Sequence, residues 1–512
     1  MTPKVMLVNP PVLSVLEPWY DTPGFGRVSL AYLAGALRRH TGYDVRILDS
    51  KLARLDHAQA LEEIESWKPD IVGLTAFTNE IKPAAYLAGL IKRELPDVVT
   101  VIGGVHLTAL PEQTLKQFPT FDIGVVGEGE ETFCELCDAI GNGDDLAKVK
   151  GLVYRTPTGI ALSPSRPRIL DQDSIAFPAW DLFPRAERYF VHSLRGCPLN
   201  CVFCMNPNGR IARQRSVQNV IEELEWVIET FAPKTISFGD ELFSVDMGRT
   251  HELLDAMIEH RIGERVPWDI QTHVRFVDEA LFVKMKKAGV LRVDLGIETG
   301  DEEKLKALGK GTNLKMIETA RAAARKAGVP IGTFFLVGQP NETVTSINKT
   351  IKLAVKMNAD LPMFGIMTPY PGTEVARLAA NGEAGYRLKS TDWDEYNKQI
   401  GGALEFADLS RRQIEILQVK AYAKVFLYNL RIVEFLKFVW RYQRGAWSVL
   451  KKVLRKSSMA DLLKRPPDYD EIINSGTDVL ADDIVKARMM WSDLQNQEMV
   501  RARRASRDLP VI

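Results

Sequence analysis

The sequence has no excess of either charge: Lys plus Arg and Asp plus Glu each number 66 in 512 residues. A chain without net charge has no overall field to draw it to nucleic acid, so only local charge clusters count. It has no run of eighteen apolar residues, which excludes a membrane-spanning helix. The opening M-T-P-K-V-M-L-V-N-P-P lacks the charged region, apolar stretch and small-residue site of a signal peptide. Cysteine is scarce, five in all, and three of the five fall within eight residues. That is no disulfide framework, and it points to a reducing, cytoplasmic setting. The dinucleotide fingerprint G-x-G-x-x-G is missing as well, which disfavours a nicotinamide or flavin dinucleotide. Apolar residues make up 46% of the chain, ample for large cores, and the length fits roughly three domains.

What is present centres on residues 190–205, F-V-H-S-L-R-G-C-P-L-N-C-V-F-C-M, where Cys197, Cys201 and Cys204 follow a short apolar run. Thiolates are the soft ligands that iron–sulfur clusters select. A cubane takes four ligands, so three clustered cysteines leave one iron open for chemistry. The spacing C-x3-C-x2-C is not a zinc-finger pattern, and His192, the only close fourth ligand, lies on the strand side. Cys134 and Cys137 form C-E-L-C inside a helical pattern with acidic neighbours, which reads as buried core thiols rather than a redox pair.

With Phe203 just before the last cysteine, this triplet resembles the signature of the radical S-adenosylmethionine (SAM) superfamily. The resemblance implies a [4Fe-4S] cluster on Cys197, Cys201 and Cys204, with the amino and carboxylate groups of SAM on the open iron. It covers roughly residues 1–395.

Residues 1–145 show β-branched runs at 4–9, 45–49, 70–77, 98–104 and 122–128, with segments of helical period at 28–39, 80–95 and 130–141. Five parallel strands with crossovers predict a doubly wound α/β domain that binds its ligand beyond the strand carboxyl ends. Gly103, Gly104, Gly127, Glu128 and Gly129 fall at those ends, where a missing Cβ lets backbone approach a bulky ligand. N-P-P at 9–11, G-L-T-A-F-T at 73–78, V-I-G-G-V-H-L-T at 101–108 and V-V-G-E-G-E-E-T at 125–132 resemble the cobalamin-binding domain found before the radical SAM barrel in one subgroup. That resemblance assigns Thr75, Phe77, Gly103, Gly104, Gly127, Glu128 and Gly129 to cobalamin. The D-x-H-x-x-G motif is absent, so no histidine is expected on cobalt, and the loop from Phe77 to Asn79 is the nearest one. A degenerate domain that binds nothing is the alternative.

Residues 146–189 read as a linker, with a small hairpin at 150–163 and a proline-bearing strap at 163–184. Residues 190–395 alternate strands and helices as six βα units of a partial TIM barrel, the strands expected at 190–194, 235–241, 266–272, 291–298, 330–338 and 361–370. Polar residues gather at the strand carboxyl ends, where such a barrel builds its site. By resemblance F-G-D-E at 238–241 (Gly239, Asp240, Glu241) meets the SAM amino group, G-I-E-T-G-D at 296–301 (Glu298) lies near the ribose, and F-L-V-G-Q-P-N-E-T at 335–343 (Gln339) lines the adenine. Phe203, Gln271 and Arg275 complete the expected SAM contacts. Residues 396–512 read as helical, and 431–456 sets eight Lys or Arg, interleaved with aromatics, against Glu434 alone. Such a stretch fits either peripheral contact with the inner face of a membrane or a helix that caps the barrel.

The cofactors implied by resemblance are a [4Fe-4S] cluster, SAM and cobalamin. They imply a 5′-deoxyadenosyl radical that removes a substrate hydrogen, after which methylcobalamin methylates an unactivated carbon. The expected partners are a small-molecule or lipid substrate and an external one-electron reductant of the flavodoxin or ferredoxin type, with no nucleic acid. T-P-Y-P-G-T at 368–373 and D-W-D-E-Y at 392–396 also resemble the subgroup. Its magnesium-protoporphyrin ester cyclase members keep open an oxidative cyclisation with cobalamin as electron relay. A radical SAM enzyme without bound cobalamin and an iron–sulfur sensor or carrier are the other readings.

Overall fold

The computed structural model describes residues 3–11, 24–399, 402–441, 465–473 and 477–505. The first sheet contains β1 (Lys4–Asn9), β2 (Asp44–Asp49), β3 (Ile71–Thr75), β4 (Val99–Gly103), β5 (Ile123–Val125), β6 (Leu152–Thr156) and β7 (Gly159–Leu162). They run in the order β2-β1-β3-β4-β5-β6-β7. The first five are parallel, and Val5, Leu7, Val8, Ile71, Val72 and Ile102 are fully buried between helices on both faces. Successive crossovers leave β1 in opposite directions, toward β2 and toward β3, so the sheet has a switch point whose crevice opens at the carboxyl ends.

The hairpin β6–β7 is not part of a free connector. It extends this sheet, β6 running antiparallel to β5. The proline strap after it is also packed: Trp180 is buried edge-on to Tyr189 at 5.6 Å, and Ala179 N–H donates to the Ala31 carbonyl at 2.8 Å.

The second sheet has six parallel strands: β8 (Arg188–Val191), then, past the short pair β9 (Leu194–Arg195) and β10 (Arg213–Gln214), β11 (Thr235–Phe238), β12 (Trp268–Thr272), β13 (Val290–Glu298), β14 (Ile331–Val337) and β15 (Leu361–Ile366). Each pairs with the next in chain order, which is the arrangement of a barrel wall left open between β15 and β8. The intervening helices start where short polar side chains cap them. Ser216, Asp246, Asp278, Asn313 and Thr343 each accept a hydrogen bond from the backbone N–H three residues on.

Beyond β15, the pair β16 (Tyr386–Leu388) and β17 (Leu404–Phe406) brackets residues 392–396, which close onto the first domain. There the buried Trp393 indole donates to Gln117 Oε1 at 2.6 Å, and its ring meets His106 edge-on at 4.8 Å. Helices Arg411–Tyr428, Ile432–Arg441 and Ala481–Ala505 follow. Much of the basic stretch, residues 442–456, lies outside the described residues.

Candidate active site at the facing strand ends

The cysteine loop is a closed structure. β9 and β10 pair antiparallel, Arg195 opposite Arg213, and pinch residues 196–212 between them. Gly196 at the neck has φ +96°, and a Cβ there would lie 2.1 Å from the Ile211 carbonyl oxygen, so no other residue fits. Inside the loop Cys197 N–H donates to Gly209 O at 3.0 Å, Cys204 N–H to Cys201 O at 3.0 Å, and the Asn206 amide to Cys197 O at 2.6 Å. Cys197 and Cys201 are half-buried and Cys204 is exposed. Burial pushes the Cys197 thiol up to about 11 and the Cys201 thiol up to about 12.

The carboxylates at the end of β11 are struts of this loop. Buried Asp240 accepts from Ser193 N–H at 2.7 Å, the Ser193 hydroxyl at 2.6 Å and Leu194 N–H at 3.1 Å. Its side chain is therefore turned into the protein and bonded there. Burial, opposed by those bonds, leaves its carboxyl raised to about 7. Glu241 accepts from Gly196 N–H at 3.1 Å and from the Asn208 amide. Gln271, exposed at the end of β12, donates to Asp240 O at 3.1 Å, and Gly239 lies against the His192 ring.

Further round the wall, Glu298 sits on a bulge of β13 at φ +67° and pairs with Lys310, whose ammonium also donates to Gly296 O at 2.7 Å. The Lys310 charge bears on the Cys197 and Cys201 thiols and offsets part of their burial. The sequence reading missed Lys310, although L-G-K-G-T at 308–312, a lysine between two glycines, was a visible sign. The loop packs on the cysteines through Val202 N–H to Leu308 O at 3.1 Å. Phe203 is half-buried against the barrel core, and Arg275 is exposed. Gln339 is buried with its amide nitrogen bonded to Leu336 O at 2.7 Å, so that end of the amide points inward rather than to a ligand.

A second missed element comes from the far end of the chain. Helix Ala481–Ala505 lies under the loop, where the Trp491 indole and the Gln495 amide both donate to the carbonyl of Met205, next to Cys204, at 2.5 and 3.1 Å. A lone tryptophan in a polar helical stretch was the one signal.

A cavity of about 560 Å³ opens at the carboxyl ends of the first sheet. Thr75 and Phe77 after β3, Gly103 and Gly104 after β4, and Gly127 and Gly129 after β5 line it on one side, and Phe190, His192, Arg195 and Gly239 of the barrel on the other. Gly127 borders open space, whereas a Cβ on Gly104, at φ +100°, would meet Ala76 O at 2.6 Å. Gly104 thus serves the fold itself. Phe77 is 43% exposed, with the Arg27 guanidinium 4.1 Å from its ring centre. Behind it Arg27 and Lys51 pair with the buried Glu80; burial alone would raise that carboxyl, and the two cations hold it down at about 2.

Glu128, expected among cobalamin contacts, lines the same cavity and is also tied into the protein: it accepts both Arg213 guanidinium nitrogens at 2.8 and 2.9 Å and Ile169 N–H at 3.1 Å. With Arg195 at 3.4 Å, it ties the end of β5 to the neck of the cysteine loop. Among the described residues the cavity's one histidine is His192, on the barrel side; His57 and His106 are buried elsewhere.

Two family models match the chain: the B12 binding domain over residues 25–137 and the radical SAM superfamily over residues 191–354. The chain is 33% identical over 434 residues to an uncharacterized methyltransferase of Pyrococcus horikoshii, spanning 83% of this chain and 92% of that one. The chain belongs to the cobalamin-dependent radical SAM enzymes. This enzyme is also 32% identical over 384 residues to the anaerobic magnesium-protoporphyrin IX monomethyl ester cyclase of Rubrivivax gelatinosus, 72% of this chain and 68% of that one. In fold it resembles the radical SAM methyltransferase TsrM of Kitasatospora setae, with TM-score 0.66 and 20% identity over 83% of this chain and 89% of that one.

As a member of this family the enzyme uses a [4Fe-4S] cluster, SAM and cobalamin. The residues present fit all three. Among the described residues no three His, Cys, Asp or Glu side chains converge on one ion, whereas a cubane takes each thiolate on a separate iron. Three thiols on a clamped loop are a donor set that would suit such a cluster. The cavity offers cobalamin strand ends free of side chains at Gly103 and Gly127, with Phe77 as an apolar floor. Cys134 and Cys137 stay apart from this chemistry, buried in helix Glu130–Asn142, with burial pushing Cys134 up to about 12 and Cys137 higher still.

Proposed function

We propose that this enzyme is a C-methyltransferase that places a methyl group on an unactivated carbon of a small-molecule or lipid substrate, with electrons from an external flavodoxin- or ferredoxin-type reductant. The observation that carries the reading is the shared cavity. Its wall joins Gly103 and Gly127 of the first domain to His192 and Gly239 of the barrel and to Pro207 and Asn208 of the cysteine loop, which supports a reading in which the two cofactors act in one space. When bound, the cluster with SAM supplies a hydrogen-abstracting carbon radical, and cobalamin supplies the transferable methyl group. The protein's part is to orient and enclose. Glu241, Asn206 and the Trp491–Gln495 pair hold the cysteine loop, Glu128 with Arg213 fixes that loop against the first domain, and Phe77 and Phe190 line the space with apolar surface. Arg275 and Lys310 are the cations at this end of the barrel suited to meeting the SAM carboxylate.

The test needs no substrate. Reconstituted anaerobically with iron, sulfide and hydroxocobalamin and given SAM with a labelled methyl group and a reductant, the enzyme is expected to form S-adenosylhomocysteine as label enters the bound corrinoid. A corrinoid that never takes label, with 5′-deoxyadenosine as the only nucleoside product, overturns methyl transfer and favours the cyclase-type alternative.

A further inference from the structure

Helix Ile432–Arg441 is anchored by one face only. Phe435 and Phe438 turn inward, their rings 5.9 and 5.5 Å from Phe426, and Phe438 stacks on Tyr422 at 4.8 Å. At about 100° per residue, Ile432, Val433, Leu436, Val439 and Trp440 share a separate arc of about 120°. That arc faces water: Trp440 is 75% exposed, Leu436 and Val433 62%, and Leu430 in the preceding turn 84%. Arg431 pins the turn by donating to Ala359 O at 2.6 Å and Asp360 O at 3.1 Å, so the presentation is built rather than frayed. Along this helix the exposed apolar side chains are contiguous, and Ile416, Val419 and Leu427 are exposed on one face of the preceding helix.

The exposed charge on this helix and the one before it is mostly positive: Arg412, Lys420 and Lys437 are exposed, Lys424 is half-buried, Glu415 is buried, and Glu434 is the single acid of helix Ile432–Arg441. The sequence that follows, residues 442–456, adds Arg444, Lys451, Lys452, Arg455 and Lys456 and no acid. A second copy of this chain would bring the same positive charge against itself, whereas an anionic surface with an apolar interior matches both features at once. No helix among the described residues is long and apolar enough to cross a bilayer, so such a contact lies on the surface. We propose that the outward face of helix Ile432–Arg441 docks the enzyme on an anionic lipid bilayer.

The test is co-sedimentation of the full chain with phosphatidylglycerol–phosphatidylcholine vesicles and with phosphatidylcholine vesicles alone. Binding is expected on the anionic vesicles, weakened by salt and by Lys437→Glu. It should fall about tenfold or more in Leu436→Glu/Trp440→Glu, which loses two apolar anchors, while circular dichroism and iron content stay as in the parent. Absence of binding to anionic vesicles, or equal binding by the double variant, overturns the proposal. So does light scattering that shows a dimer dissociated by the double variant without vesicle binding, which would make the face an interface between copies.

Discussion

At the carboxyl ends of the first sheet the chain places Gly103, Gly104, Gly127 and Gly129, and at the ends of the second it places Asp240, Glu241, Gln271 and Glu298. Both sets occupy the position where α/β folds bind ligands, and they work in opposite ways. The first leaves side chains out of the cavity. The second spends much of its polar side-chain capacity on its own backbone, bonding the segment that leads into the three cysteines. The difference teaches that a strand-end carboxylate here is first a positioning group. Among the named strand-end residues, Gln271 and the nearby Arg275 are exposed, while Lys310 is buried against Glu298.

The contrast breaks most sharply at the cysteines. Cys197→Ala, Cys201→Ala or Cys204→Ala is expected to abolish 5′-deoxyadenosine formation and lower bound iron, whereas the Cys134→Ala/Cys137→Ala pair keeps both. A Cys201→Ala protein that still makes deoxyadenosine would sink the cluster assignment.

Next are the struts. Glu241→Ala releases Gly196 N–H and Asn208 and is expected to slow deoxyadenosine formation about 10–100-fold, the usual cost of losing a partner behind a metal ligand. Asp240→Ala leaves three buried donors unpaired at a cost of about 2–4 kcal/mol. Asp240→Asn, which keeps acceptors for the two N–H groups, should restore most of that stability in a thermal melt. Equal losses in Asp240→Ala and Asp240→Asn would mean that the charge rather than the bonding matters.

The C-terminal buttress is expected to matter less. Trp491→Phe with Gln495→Ala frees the Met205 carbonyl and should broaden the electron paramagnetic resonance signal of the reduced cluster and cut turnover about tenfold. An unchanged signal would make that helix a bystander.

On the side of the bare strand ends, Gly103 rather than Gly104 is the informative site. A Cβ on Gly103 comes no closer than 3.9 Å to other atoms. Gly103→Leu therefore intrudes on the cavity without straining the backbone, and it should weaken cobalamin retention about tenfold by filling space while leaving the iron count untouched. Retained cobalamin in that variant would move the corrinoid elsewhere.

The smallest effect is on stability. His106 is buried against Trp393, and burial lowers it to about 3 from an ordinary 6.5. A histidine kept neutral contributes stability that is complete above pH 6.5 and is lost as pH falls toward 3, because the unfolded chain takes up the proton first. At pH 5 that loss is about 2 kcal/mol. His106→Phe should raise Tm at pH 5 relative to the parent and leave the pH 8 difference small; a Tm gap independent of pH would refute the assignment.

Much of the architecture was legible. β-branched runs marked the parallel strands because a strand buried on both faces must be apolar throughout, and the spacing of the cysteine triplet carried the resemblance that pointed to the family. Some of the site was not. Glu128 stands among strand-end glycines, and nothing near it in sequence shows that it also binds Arg213, 85 residues on. Lys310 and Trp491 bear on the cysteines from 12 residues past Glu298 and from the last helix. The local signs, a lysine between two glycines and a lone tryptophan, do not say which distant groups they meet.

By itself the sequence determined most element types and the family, since periodicity and motif spacing are set by covalent geometry over a few residues. Which carboxylates stay free, which glycine meets ligand and which meets its own backbone, and which face of the Ile432–Arg441 helix is left to the outside were decided only by tertiary structure. Those outcomes depend on which distant groups packing brings within hydrogen-bond reach, and a buried charge takes its partner from wherever the fold supplies one.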